Sequence, residues 1–434
     1  MTTVQLLLFL YYLKRSLVFG LFFDMADWLL QYARYLSDGD LLGFLWSPHY
    51  EDRVATTRLV LLADIRLFGG VFYPFVVISL ACVCLVAAVL VNAIRSDGPF
   101  GIPSAIASFL VVMLLLNPAV GITCGLPAYD NYPHVLALAA LALHFFDDNG
   151  RAGRAAFFRR LLALLAGIGA GLASASGLLI WPILVWAAWR GRLSGRWIAA
   201  TAICGCGYVA LYLQGNPLLG HVFEVARAGP LLSVGNLGTI AAYFFGYAGL
   251  PWSHDAGLRL EGAAIGVVLS AVIVALCIRR GVIDPPGGLR ERVEVGLLAF
   301  VLGTAVLAAF GRAHFESPNA TAHVPVKYTI FLSVAHAALV AAALPWLRRS
   351  WDEANRRAAV QVGALLLGGL LIVQQIGLGE TAVQKAAQVN ASIARFMAGQ
   401  RDQEMWLVLH MDGGTADRAL QFMRAIGIYD FRPK

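Results

Sequence analysis

Apolar runs separated by short polar connections fill the chain from its start to about residue 379. Several of them, such as 71–94, 293–310 and 328–346, have the length of roughly twenty residues that crosses a bilayer core. Arginines gather in some connections and not in others, with 151–160, 190–196, 279–280 and 348–357 rich in them. The positive-inside rule places those connections on the cytoplasmic face. Threaded on that basis, the pattern predicts spans at 4–23, 71–94, 104–122, 134–146, 197–214, 262–278, 293–310, 328–346 and 360–376. The stretch 161–189 has arginines at both ends, so it reads as two short spans joined by an outer turn at 174–177. The stretch 237–250 meets no basic cluster until Arg279 and Arg280, which predicts a re-entrant or interfacial helix on the outer side. The fold class is therefore an all-α polytopic membrane protein of about eleven transmembrane helices, with the N-terminus cytoplasmic and the C-terminus outside.

The first span is irregular, because Lys14 and Arg15 stand in its middle. No small-residue cleavage site follows it, so it reads as a span rather than a removable signal. Beyond residue 379 the composition becomes mixed, which divides the chain into a membrane domain, 1–379, and an outer, periplasmic segment, 380–434. Within that segment MWLVLHMDGG predicts a strand and turn, and TADRALQFMRAIG a helix closed by Gly427. No repeat of the kind found in transporters with inverted halves is visible.

Composition agrees with the pattern. Of 434 residues 59% are apolar and 14% charged, and the mean hydropathy is +0.70, against about half and a quarter for soluble domains. The net charge of +7 resides in the connections, where the partners are anionic lipid head groups and not nucleic acid. Cys82, Cys84, Cys204, Cys206 and Cys277 lie inside apolar runs, where a thiol acts as a small hydrophobe. Neither CVC nor CGC has the spacing of a redox or zinc site, and the lack of a cysteine framework suits a bacterial inner membrane. The nine histidines show no HxxxH or HxH pattern. No metal site and no cofactor are predicted, with a divalent ion left open.

Candidate chemistry concentrates in the long outer connection 24–70. Asp24 and Asp27 fall at the outer end of the first span, three residues apart and on one helical face. They suit either a task or the capping of the amphipathic helix that follows. In SPHYEDR, Ser47 and Pro48 open a turn, and Glu51, Asp52 and Arg53 begin a helix that carries Arg58, Asp64 and Arg66. Together with His49, these arginines could hold a phosphate, and helix-start chemistry explains the acids equally. A second outer connection, GRAHFESPNATAHVPVK, brings Arg312, His323 and Lys327, which serve either a lipid-linked phosphate or as interfacial anchors.

The acids directly after the first span, the amphipathic helices of the outer loop and the uneven spans resemble the GT-C superfamily of polyprenyl-phosphate-sugar-dependent glycosyltransferases. LLGFLWSPHYEDRVATTRLVLLADIRLFGG is similar to a signature of bacterial members, WSPHNEHR followed by a basic and apolar helix and FGG; GLLIWP and GRAHFES also look like theirs. Two departures stand at the site: YEDR replaces NEHR, and ADW replaces paired acids before the tryptophan. The resemblance implies that Asp27 or Asp24, or Glu51, acts as base. That base would deprotonate an acceptor hydroxyl of a glycan or lipid, which attacks the anomeric carbon of a polyprenyl-phosphate sugar with inversion. General-base help of this kind is worth about 10²–10⁴-fold. Arg53, His49, Arg66, Arg312, His323 and Lys327 would hold the lipid phosphate and substrate. A transporter or flippase of a lipid-linked intermediate, and a non-catalytic subunit of the same fold, are the rival readings.

Overall fold

The computed structural model describes residues 2–18, 20, 24–50, 52–146, 153–217, 234–250, 260–285, 287–312, 328–409 and 413–428. Among the described residues every regular element is a helix and no strand forms. Among the described residues seven helices are long and apolar enough to cross a membrane, and an eighth span results if one bent pair counts as a single crossing.

The chain opens with α1 (Thr2–Arg15), which ends well short of residue 23. Lys14 and Arg15 occupy its last turn; two adjacent cations are costly in mid-bilayer and suit a helix C-terminus. Asp24 therefore does not sit on the end of a continuous first span. The connection 24–70 folds as three helices, α2 (Met25–Asp38), α3 (Leu41–Trp46) and α4 (Ala55–Phe68). The last is closed by Gly69 in the left-handed conformation, φ 74°, which costs glycine nothing.

Next come the spanning helix α5 (Tyr73–Ser96) and the pair α6 (Ile102–Leu115) and α7 (Pro118–Gly125), bent by 42°. The stretch 104–122 predicts one continuous helix; Pro118 and the Asn117 cap break it instead. After the break the fold continues with α8 (Asn131–Phe145), α9 (Arg154–Ala173), α10 (Ile180–Arg190) and α11 (Gly195–Leu213). The expected hairpin at 161–189 is present: α9 turns at Ser174 through a short 3-10 helix into α10. Gly177 makes the turn possible, since a Cβ there would collide with the Ala170 carbonyl.

In the second half, α12 (Val234–Ala248) packs along α13 (Leu260–Ile278), followed by α14 (Leu289–Arg312), α15 (Thr329–Asp352) and α16 (Ala354–Met397). The 44 residues of α16 extend about 66 Å at 1.5 Å per residue, twice the thickness of a bilayer core of about 30 Å. The helix thus continues without interruption past residue 379. Its far end carries α17 (Gln403–Leu409) and α18 (Gly413–Ile426). The first of these falls where a strand was expected. Asp402 accepts from Met405 N at 2.8 Å as an N-cap, and Met405 and Leu409, one turn apart, are buried. The helix before Gly427 forms as expected.

Among the described residues two large hydrophobic cores form, with a small third cluster of Leu110, Met113 and Leu371 between α6 and α16. One lies within the bundle. The other joins α2, α3 and α4 to the end of α16, α17 and α18 through Trp28, Leu29, Tyr32, Phe396, Leu420 and Met423. The tail is a roof packed on the connection 24–70, with α18 against α2 and the rings of Tyr32 and Phe422 at 6.2 Å. At the opposite end of the bundle, Asp97 meets Arg290 and Arg348, each at 3.1 Å. Buried Glu294 there meets Arg290 at 2.8 Å and Arg280 more closely, and Arg190 meets Glu291 at 3.3 Å. This belt gathers the ends of α5, α10, α13, α14 and α15 on the face away from the roof.

Candidate functional site

Asp24 occupies the N-cap position of α2, yet its side chain caps nothing. Its Oδ2 lies instead 3.3 Å from Nε2 of His49. The imidazole is 7% exposed and Asp24 23%, so the pair sits at a boundary between protein and solvent. Trp28, one helical turn along α2, packs edge-on against the His49 ring at 5.9 Å, and Tyr50 closes on it at 4.8 Å. Asp27, on the same face of α2, completes a group of three: ligand atoms of Asp24, Asp27 and His49 all lie within 4.8 Å of one another. Two carboxylates and an imidazole at that spacing can share a proton or hold a divalent ion.

His49 is held by a tight turn. Its backbone N donates to Asp52 O at 2.7 Å, and Asp52 N returns the bond to His49 O at 3.0 Å, with Tyr50 at φ 52° between them. The other end of the turn is tied to the bundle. Asp52 Oδ1 accepts from Ser174 Oγ at 3.0 Å and from Ala175 N at 2.5 Å, both in the turn between α9 and α10. For that reason Asp52 and Arg53 precede α4 rather than forming its first turn, as SPHYEDR alone suggests.

Arg53 is 2% exposed. Its Nε donates to Tyr212 O at 3.0 Å, Nη2 to Gln214 O at 2.6 Å and Nη1 to Trp46 O, while the guanidinium lies 4.3 Å from the Trp46 ring. Expected to meet a phosphate, it instead clamps the loop to the end of α11. Arg58 is likewise fully buried and donates to Leu45 O, Ser47 O and Gln31 Oε1. Burial, with neighbouring Arg53 adding to it, pushes the Arg58 guanidinium down to about 10. Asp64 accepts from Val71 N and Phe72 N, both at 3.1 Å, and so closes α4 rather than facing a ligand. Arg66 stays exposed at the rim, its Nε donating to Tyr32 OH at 3.2 Å.

Of the remaining expected residues, Glu51, His323 and Lys327 lie outside the described residues, and of Arg312 the structure describes the backbone at the end of α14. No family model matches the chain, and no curated protein or solved structure matches it either. The grouping of His49 with both aspartates was not legible in the sequence. The histidine precedes Tyr50 in a turn whose position depends on Ser174 and Ala175, far along the chain.

Proposed function

We propose that the protein is an integral-membrane glycosyltransferase of the GT-C kind, moving a sugar from a polyprenyl-phosphate donor to a glycan or lipid acceptor with inversion. The observation that carries the reading is the pairing of Asp24 with buried His49 beside Asp27, in place of the capping that would explain Asp24 structurally. Asp27 is the base that takes the proton of the acceptor hydroxyl. Asp24 and His49 sit next to it as the pair that relays that proton. The leaving polyprenyl phosphate needs cations and no proton; exposed Arg66 supplies one, and Arg312 and Lys327 are assigned the same task. Arg53 and Arg58 act at one remove, by holding the loop.

In this reading the roofed end faces the periplasm and the arginine belt the cytoplasm of a bacterial inner membrane. The N-terminus is inside, the C-terminus outside, and about eleven crossings are made when α8, α10 and the other short helices are counted. The test is transfer of radiolabelled sugar from polyprenyl phosphate by the purified chain in nanodiscs supplied with envelope extract as acceptor. Incorporation above an empty-nanodisc control supports the assignment, and its absence with every donor sugar tried removes it.

A second reading has one observation of its own. At the break between α6 and α7, Gln375, Asn117 and Gln5 donate to the freed carbonyls of Met113, Leu114 and Leu116, at 3.1, 2.5 and 2.8 Å. A small cavity lined by Asn117, Thr329, Ser333, His336, Gln374 and Gln375 lies beside it. Broken helices with polar surroundings mark substrate paths in transporters. Movement of a fluorescent polyprenyl-phosphate lipid across proteoliposomes without sugar transfer would favour a flippase.

A further inference from the structure

A second set of reactive groups lies at the roofed end of the bundle and takes no part in the site above. Asp130, at the start of α8, is 0% exposed and His134, one turn later, 5%. Asp130 Oδ1 accepts from Ser79 Oγ of α5 at 2.6 Å, which fixes the carboxylate, and Oδ2 faces Nε2 of His134 at 3.3 Å. The other imidazole nitrogen, Nδ1, lies 3.1 Å from Oγ1 of Thr56 in the first turn of α4. The order is carboxylate, imidazole, hydroxyl; Asp130 Oδ2 and His134 Nε2 stand at ion-pair distance without a hydrogen bond between them, so the acid acts on the imidazole by its charge beside a base that touches the hydroxyl. Thr56 is half-buried, unlike its two partners, and Leu59 on the next turn is exposed, so the hydroxyl end of the chain is the approachable one.

An independent feature lies beside Thr56. The N-cap of α4 is Val54, whose side chain caps nothing, and the first bond closed within the helix is Arg58 N to Val54 O at 3.0 Å. The amides of such a first turn favour an oxygen that gains negative charge. Nucleophile, base and acid thus meet at one place, at the start of α4.

We propose that Thr56, His134 and Asp130 form a second reactive site, in which Thr56 Oγ1 attacks an acyl ester, His134 is the general base and the charge of Asp130 offsets that of the imidazolium. Nδ1 takes the hydroxyl proton as Oγ1 bonds to the carbonyl carbon, and the carbonyl electron pair moves onto oxygen. Collapse of this adduct breaks the bond to the alkoxide. The alkoxide recovers the proton from Nδ1 and leaves as the alcohol, with Thr56 acylated. The proposal does not rest on glycosyl transfer.

The test treats the full chain in nanodiscs with p-nitrophenyl butyrate and, separately, with p-nitrophenyl palmitate in the bilayer. Released p-nitrophenolate and the mass of the Thr56 peptide are followed. The wild type is expected to give one acyl group per chain on that peptide. Thr56→Ser keeps the adduct, Thr56→Val loses it, and His134→Gln forms it about 10²-fold more slowly, the scale of a lost general base. Faster reaction with palmitate identifies a lipid ester as the natural source, and faster reaction with butyrate a soluble one. A monodisperse wild type without the adduct, or a rate unchanged in His134→Gln, overturns the proposal.

Discussion

The Asp24 carboxylate lies 3.3 Å from Nε2 of His49, whose ring packs edge-on against Trp28. The contact couples the first helix of the outer connection to a turn that is anchored on Ser174 and Ala175. Removing the imidazole without changing the fold should therefore lower sugar transfer. His49→Gln is expected to reduce kcat about 10²-fold, with KM for the donor nearly unchanged, because in the proposed mechanism the ring acts on the proton and not on the lipid. Steady-state kinetics in nanodiscs measure both; a rise in KM at constant kcat would contradict the assignment.

Arg53 donates to three backbone carbonyls on two separate segments, and lysine cannot reproduce that planar fork. Arg53→Lys should cost about 3 kcal/mol, the scale of charge-assisted bonds lost in a buried setting. It should also open the 46–54 turn to protease. Limited proteolysis with mass spectrometry reads the cleavage, and an unaltered pattern at an unaltered melting temperature would show that the clamp is unnecessary.

For Arg58, burial lowers the guanidinium from its ordinary value to about 10. Below pH 10 both folded and unfolded chains are protonated there, so the group adds no pH dependence. From about pH 10 up to the ordinary guanidinium value the unfolded chain binds the proton and the folded chain releases it, so stability rises with pH through that window. The wild type should gain about 1 kcal/mol relative to Arg58→Met between pH 9 and pH 11. Thermal unfolding of the two proteins in parallel checks the sign, and a relative loss would refute it.

The roof depends on apolar packing between α18 and α2. Leu420 is buried in that core, and Leu420→Ala should cost about 2–5 kcal/mol of local stability. Hydrogen exchange is expected to rise in α18 and α2 together while α14 and α15 keep their protection. Exchange confined to α18 would mean that the two helices are independent.

Much of this architecture is written in local pattern. The run before Arg95, the hairpin turn at Ser174 and the helix ending before Gly427 all follow from periodicity, charge and turn residues. The losses have specific causes. Lys14 and Arg15 end α1 early, Pro118 breaks an apolar run that reads as continuous, and MWLVL has strand propensity that packing on Phe396 overrides. At the site, the sequence brought out Asp24 and Asp27 as a pair on one helical face, and His49 apart from them. Their meeting depends on bonds from Asp52 to residues 174 and 175, and no spacing rule encodes a contact of that range. The arginines misled for a related reason: a guanidinium reads the same in sequence whether it faces a phosphate or, like Arg53, the carbonyls of Tyr212 and Gln214.

The most direct test of the central claim is the initial rate of sugar transfer from a radiolabelled polyprenyl-phosphate donor by the wild type, Asp24→Asn and Asp27→Asn, each matched for expression and monodispersity. The account predicts that Asp27→Asn falls by at least about 10²-fold and that Asp24→Asn also loses rate. Wild-type rates in both variants would contradict it.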